Sequence, residues 1–209
     1  MDLVSKYFST LTAKQKEQLI LLEEVFGEWN NQVNLVSRKD MENLQERHIL
    51  HSLAIAKVIN FTPGTEILDV GTGGGFPGIP LSIYFPEVSF TLVDSIGKKI
   101  KAVQDMITRL GLVNARAINR RAEEIPQQFD FITGRAVADI STFSGWVKGK
   151  VKSRGRNGLP NGILYLKGGD LEEELSPFGK RAQIYPISSF FEEEFFETKS
   201  VVYLEMTEA

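Results

Sequence analysis

The stretch "DVGTGGGFPGIP", Asp69 to Pro80, packs five glycines and two prolines into twelve residues directly after the apolar run "EIL". Glycine reaches positive φ at low cost and lets a ligand lie against bare backbone. A strand that ends in such a turn and leads into a helical stretch, "PGIPLSIYF", opens a doubly wound α/β sheet. Ligands of that fold sit beyond the carboxyl ends of the strands.

Outward from this turn the pattern repeats. "SFTLVD", "RAIN", "FDFITG" and "GILYLK" read as further strands, with "KKIKAVQDMITRL" and "DISTFSGWVK" as helices between them. Strand alternating with helix predicts right-handed crossovers and a mostly parallel sheet. The tail, "AQIYPISSF" and "SVVYLEMTE", predicts a hairpin at the sheet edge. Toward the N-terminus, Leu19, Leu22, Phe26 and Trp29 recur at spacings of three and four, which predicts an amphipathic helix over Lys14 to Trp29. A second helix is expected from Met41 to Ile59, with a looser stripe. The texture changes at "TPG", Thr62 to Gly64, and divides a helical extension, 1–62, from an α/β domain, 63–209. No internal repeat is found.

Composition narrows the function classes. A chain of 209 residues, 42% hydrophobic, suits one well-buried domain plus an extension. The absence of cysteine excludes a disulfide framework, a thiolate zinc site and a cysteine nucleophile, and it fits a reducing compartment. "MDLVSKYFST" lacks the features of a signal peptide, and no apolar run approaches the roughly 20 residues of a membrane span. A cytosolic protein with no membrane partner and no metal is expected, monomeric by default. With a net charge of −3, any nucleic-acid surface must be local.

The glycine turn admits several ligands. A GxGxxG pattern falls on Gly73, Gly75 and Gly78, but a dinucleotide turn starts immediately after its strand. Counted from Gly71, the third glycine position is Phe76. No GK[ST] closes a phosphate loop. The better fit is an acid on the strand followed by Gly-x-Gly-x-Gly, namely Asp69, Gly71, Gly73 and Gly75. That turn suits S-adenosylmethionine, a nucleoside without phosphate. Asp94, at the end of the next strand, is placed for ribose hydroxyls, although an acid there serves NAD equally.

"DVGTGGGFPGIPL", "LVDSIGKKIKAV", "RRAEE", "FDFITGRAVA" and "LYLKG", in this order and spacing, resemble the RsmG (GidB) family. "WNNQVNLVS" and "ERHILHSL" resemble its helical extension, so the likeness spans nearly the whole chain. The resemblance implies a class I S-adenosylmethionine-dependent methyltransferase domain with a Rossmann-like sheet. It also implies methyl transfer to N7 of a guanine in bacterial 16S ribosomal RNA, within the small subunit. By position it places cofactor contacts on Gly71, Phe76, Ala122, Glu123 and Arg135, with Phe76 an apolar wall and Arg135 a positioning residue at the transfer site.

The chemistry is consistent with this residue set. Guanine N7 carries a free lone pair, so attack requires no general base. The chain has only two histidines, His48 and His51, both in the extension. A core-facing or capping role is the plainer reading of His48, and the family's usual Asp is replaced by His51. Between Asp139 and Asp170 there is no acid, and six cations are present. The glycine-rich loop there makes Lys150, Lys152, Arg154 and Arg156 candidates for RNA contact beside the site, with a solvated surface loop as the plain alternative. Lys98, Lys99 and Lys101 are similarly placed to line the entrance. Other readings of the chain are a small-molecule methyltransferase, an NAD-dependent oxidoreductase, and a non-catalytic rRNA-binding or ribosome-assembly protein that retains the pocket.

Overall fold

The computed structural model describes residues 3–207. Seven strands form one sheet: β1 (Glu66–Val70), β2 (Ser89–Asp94), β3 (Ala115–Asn119), β4 (Phe131–Arg135), β5 (Gly162–Gly168), β6 (Ala182–Pro186) and β7 (Lys199–Glu205). Their order is β3-β2-β1-β4-β5-β7-β6. β1 to β5 run parallel, and β7 lies antiparallel to both β5 and β6. The expected hairpin is therefore the pair β6–β7, with β6 at the edge. The reversal of strand order between β1 and β4 opens the crevice where ligands of this architecture bind.

Alternation along the strands builds two cores. Ile67, Leu92, Phe131 and Leu164 face one layer, while their neighbours Leu68, Val93, Ile132 and Ile163 face the other. A strand buried on both sides reads as a continuous apolar run, as "ILYL" within "GILYLK" does. The first layer holds α1 (Leu3–Tyr7), α2 (Ala13–Val33), α3 (Arg38–Met41), α4 (His51–Leu53), α5 (Ile55–Val58), α6 (Gly78–Tyr84) and α7 (Gly97–Arg109). On the second face α8 (Ile140–Trp146) buries Ile140 and Phe143.

α2 begins at a capping box, in which the Thr12 hydroxyl accepts from the Gln15 N–H and the Gln15 side chain accepts from the Thr12 N–H. It ends at Asn34, in the left-handed conformation with φ +50°. Leu19, Leu22, Val25 and Phe26 form its buried stripe. Polar contacts join it to α7: the Trp29 indole donates to Asp105 at 2.8 Å, and Arg109 pairs with Glu28 at 2.5 Å. The extension and the sheet thus share one hydrophobic core.

The expected helix over Met41 to Ile59 is present, with helical backbone carried through Leu44, Leu50, His51 and Ala54, and it contains one wider turn. A π-helical turn, Gln45–Leu50, precedes α4 and α5. Leu44 and Ile49 are both buried and five residues apart, so the wider turn keeps them on one face. Among the described residues no helix is long and apolar enough to cross a membrane.

Candidate active site

Three strand ends meet at the carboxyl edge of the sheet. β1 runs into the glycine turn, in which Gly71, Gly73 and Gly75 have φ of +64°, +57° and +95°. A side chain there would be strained. At Gly71 an added Cβ would also fall 2.7 Å from Val137 Cγ2. β2 ends at Asp94, whose Oδ2 accepts from the Gly73 N–H and whose Oδ1 accepts from the Ile96 N–H, each at 2.9 Å. Each oxygen keeps a second lone pair for a ligand.

Asp69 anchors the turn from inside. Its carboxylate accepts from the Thr72 hydroxyl at 2.6 Å, the Thr133 hydroxyl at 2.9 Å and the Gly78 N–H at 3.0 Å. Burial pushes this carboxyl up to about 6, against the opposing pull of the three donors. Gly78 has to be glycine, because a Cβ would sit 2.8 Å from that carboxylate and 2.7 Å from Leu92.

Between these ends lies a cleft of ≈ 420 Å³, a volume within the range of small-molecule sites. Gly71, Gly73, Asp94, Ala122, Glu123 and Arg135 all line it, as do Lys99, Val137 and Trp146. The walls combine apolar surface with two carboxylates, Asp94 and Glu123, and four cations, Lys99, Arg120, Arg121 and Arg135. Lys98 and Lys101 lie outside the cleft.

Phe76 takes a different place from the one expected. Its side chain is only 2% exposed and packs between α2 and the π-turn, with ring centroids 5.1 Å from Phe26 and 5.3 Å from His48. The Arg135 guanidinium lies 5.3 Å over the same ring. Phe76 therefore braces Arg135 and is not among the residues that line the cleft.

Arg135, at the end of β4, donates to His48 Nδ1 at 2.9 Å and to the Arg47 carbonyl at 3.3 Å. Burial lowers its pKa to about 10, with Asp69 opposing, so it stays charged at neutral pH. Burial, followed by Arg135, pushes His48 down to about 3. Because arginine can only donate, His48 is a neutral acceptor at Nδ1 with its proton on Nε2. His51 is likewise pushed down to about 3, first by burial, and packs edge-on against Phe195 and Phe196.

Sequence reasoning did not find Tyr165. Its hydroxyl accepts from the Val137 and Ala138 N–H groups at 2.8 and 3.0 Å and donates to the Ala138 carbonyl at 3.0 Å. These bonds fix the segment after Arg135, where Ala136 adopts φ +50°. A bond across 27 residues leaves no local signature in the sequence.

The basic loop is a correction. A helix-to-strand connection lands at the amino end of a parallel sheet, so the segment between α8 and β5 closes the floor opposite the cleft. Lys152 pairs with Glu66 at 2.5 Å and Asp130 at 3.2 Å, at the starts of β1 and β4. The Arg156 guanidinium rests on the Gly64 carbonyl. The Asn161 amide ties down the carbonyls of Lys152 and Arg154 at 3.0 and 2.9 Å. Lys150 caps the carbonyls of Glu123 and Ile125 at 3.0 and 2.6 Å. Lys152 and Arg156 thus face the amino edge of the sheet, while Lys150 reaches the backbone of Glu123, a residue of the cleft wall.

The model of rRNA small subunit methyltransferase G matches residues 15–200. The chain belongs to this family. It is 54% identical over 206 residues to ribosomal RNA small subunit methyltransferase G of Christiangramia forsetii, covering 99% of this chain and 97% of the relative. The Cytophaga hutchinsonii protein of the same name is 52% identical over 204 residues, covering 98% and 99%. Among solved structures, a SAM-dependent methyltransferase from Aquifex aeolicus superposes with a TM-score of 0.58 at 17% identity, over 81% of this chain and 98% of the other. A mutant of MtNAS in complex with S-adenosylmethionine gives 0.58 at 16% identity, over 91% and 76%. At these identities the superpositions speak for the fold, and membership of the methyltransferase G family rests on the sequence matches.

Proposed function

We propose that the protein transfers a methyl group from S-adenosylmethionine to N7 of a guanine in bacterial 16S ribosomal RNA. Family membership makes it an rRNA small subunit methyltransferase, and the guanine and its N7 are what the resemblance to that family implies. The observation that carries this reading is a cleft with a bare glycine floor at the end of β1 and acids at the ends of β2 and β3, in a chain of this family.

The residues present fit that cofactor. Gly71 and Gly73 expose backbone at positive φ, Asp94 and Glu123 offer acceptors for hydroxyls and amine, and Ala122 and Val93 leave a narrow apolar slot for a purine. S-adenosylmethionine supplies, when bound, a methyl group activated on a sulfonium. The chain aligns the acceptor and excludes water. Arg135 presents a fixed guanidinium at the end of β4, suited to the cofactor carboxylate or an RNA phosphate. His48 is neutral and already committed to Arg135, so it does not act as a base. None is required, because N7 has no proton to lose. We place the protein in the cytoplasm, with its ribosomal substrate, as a monomer.

The test is transfer from labelled S-adenosylmethionine to small-subunit particles that lack N7 methylation, followed by mapping of the labelled base. A labelled guanine with wild-type protein, and loss of label with Arg135→Ala, supports the reaction and the site. Cofactor binding without transfer to any guanine counts against it.

A further inference from the structure

Beyond the ends of β4 and β5, next to Arg135, a second group of cations gathers around one aromatic ring. Arg47, on the π-turn, lies with its guanidinium 5.5 Å from the Phe195 ring centroid, and the Lys199 ammonium lies 5.1 Å from the same centroid. Lys199 opens β7 beside Gly168, the last residue of β5, where an added Cβ would come within 2.9 Å of its ammonium. The group joins the cleft directly, since the Arg47 carbonyl and His48 hold Arg135.

The cations of the cluster are loosely paired. Asp40 reaches Arg47 only at 3.5 Å and also accepts from the Ser37 hydroxyl at 2.6 Å. Asp69, the other acid that bears on Arg135, is enclosed beneath the glycine turn. Lys199 makes no ion pair among the described residues and reaches only the Thr198 hydroxyl, at 3.4 Å. Arg47 Nε is buried with no hydrogen-bond partner among the described residues. The two histidines in the group are kept neutral, so they add no charge of their own. Phe195 and Lys199 are only half-buried, and the Arg47 side chain is 28% exposed.

We propose that Arg47 and Lys199, gathered on Phe195, hold the phosphate backbone of the acceptor RNA beside the methyl-transfer site. Cations on a partly exposed aromatic platform, tied to the cleft-lining Arg135 through the Arg47 carbonyl and His48, suit a polyanion whose bases stack. This ridge at the carboxyl edge replaces the loop before β5 as the RNA-holding surface. The inference rests on the rRNA methyltransferase reading and extends it to named contacts.

The test compares wild-type protein with Lys199→Gln, Arg47→Gln and Arg47→Lys, using a small-subunit rRNA fragment across a salt series. Lys14→Gln, on the exposed start of α2, is the charge-matched control. Each loss of charge on the ridge is expected to weaken RNA binding about threefold to tenfold at low salt and to reduce the salt slope by about 0.7–0.9. Arg47→Lys retains most of the slope. S-adenosylmethionine affinity by calorimetry and the melting temperature stay at wild-type values in Lys199→Gln. An unchanged slope in both neutral variants, or an equal loss in Lys14→Gln, overturns the proposal. Wild-type protein that binds this RNA yet methylates no guanine in particles leaves the ridge standing and defeats the reading of the reaction instead.

Discussion

Asp69→Asn isolates the cost of burying a charged group under the glycine turn. The carboxyl titrates at 3.8 in a solvated chain and is pushed up to about 6 in the fold. Between those values the folded protein holds a proton that the unfolded chain has lost. The free energy of unfolding therefore falls by about 1.4 kcal/mol for each pH unit gained, about 3 kcal/mol in all, and stays reduced above pH 6. Asparagine removes this term. Its carbonyl oxygen can still accept from Thr72 and Gly78, and its amide can face Thr133, whose hydroxyl is free to turn and accept. Loss of the charge-assisted bonds costs about 1–2 kcal/mol. Near pH 8 the variant should thus be about 1–2 kcal/mol more stable than wild type, and near pH 4 that advantage should be gone. Urea unfolding of both proteins from about pH 4 to about pH 8 cancels the titration of every other group. Parallel stability curves over that range would refute the argument. Asp69→Ala is the contrasting variant: it strands three buried donors and should be about 3–6 kcal/mol less stable than Asp69→Asn at any pH.

Gly71→Ala places a Cβ against Val137 at φ +64°, so S-adenosylmethionine affinity should fall about 10-fold or more by calorimetry. Tyr165→Phe removes three hydrogen bonds from the segment after Arg135, and should lower the melting temperature by about 5 °C and weaken cofactor binding. Neutralising Lys150, Lys152, Arg154 and Arg156 together should lower stability, through the lost ties of Lys152 to Glu66 and Asp130, while the salt slope of RNA binding stays near that of wild type. A single-turnover rate that is flat from about pH 7 to about pH 9 is expected, because no base with a pKa in that range is used.

The β1 turn and α6 were legible because their determinants are local. A strand period, glycines at positive φ and an acid at the end of β2 all lie within one continuous stretch. The edge hairpin was legible for the same reason. The π-turn inside the second N-terminal helix was not, since a five-residue spacing between Leu44 and Ile49 blurs a stripe without announcing the wider turn. Phe76 sits inside the motif, but its direction depends on Phe26 and His48, which come from two other elements. The basic loop showed its charge in the sequence and not the end of the sheet it occupies. Its partners, Glu66 and Asp130, are 86 and 22 residues away from Lys152. Arg135 was singled out through the family resemblance, and the partners that hold it, His48 and the Arg47 carbonyl, become visible only once the extension folds back on β4.

The most direct test of the account is methyl transfer to small-subunit RNA carrying 7-deazaguanosine in place of guanosine, which exchanges N7 for a carbon and leaves the pairing edge intact. Wild-type protein should bind both RNAs equally, label the guanosine form and leave the 7-deaza form unlabelled. Equal labelling of the two would contradict attack by N7 and move the acceptor to another atom.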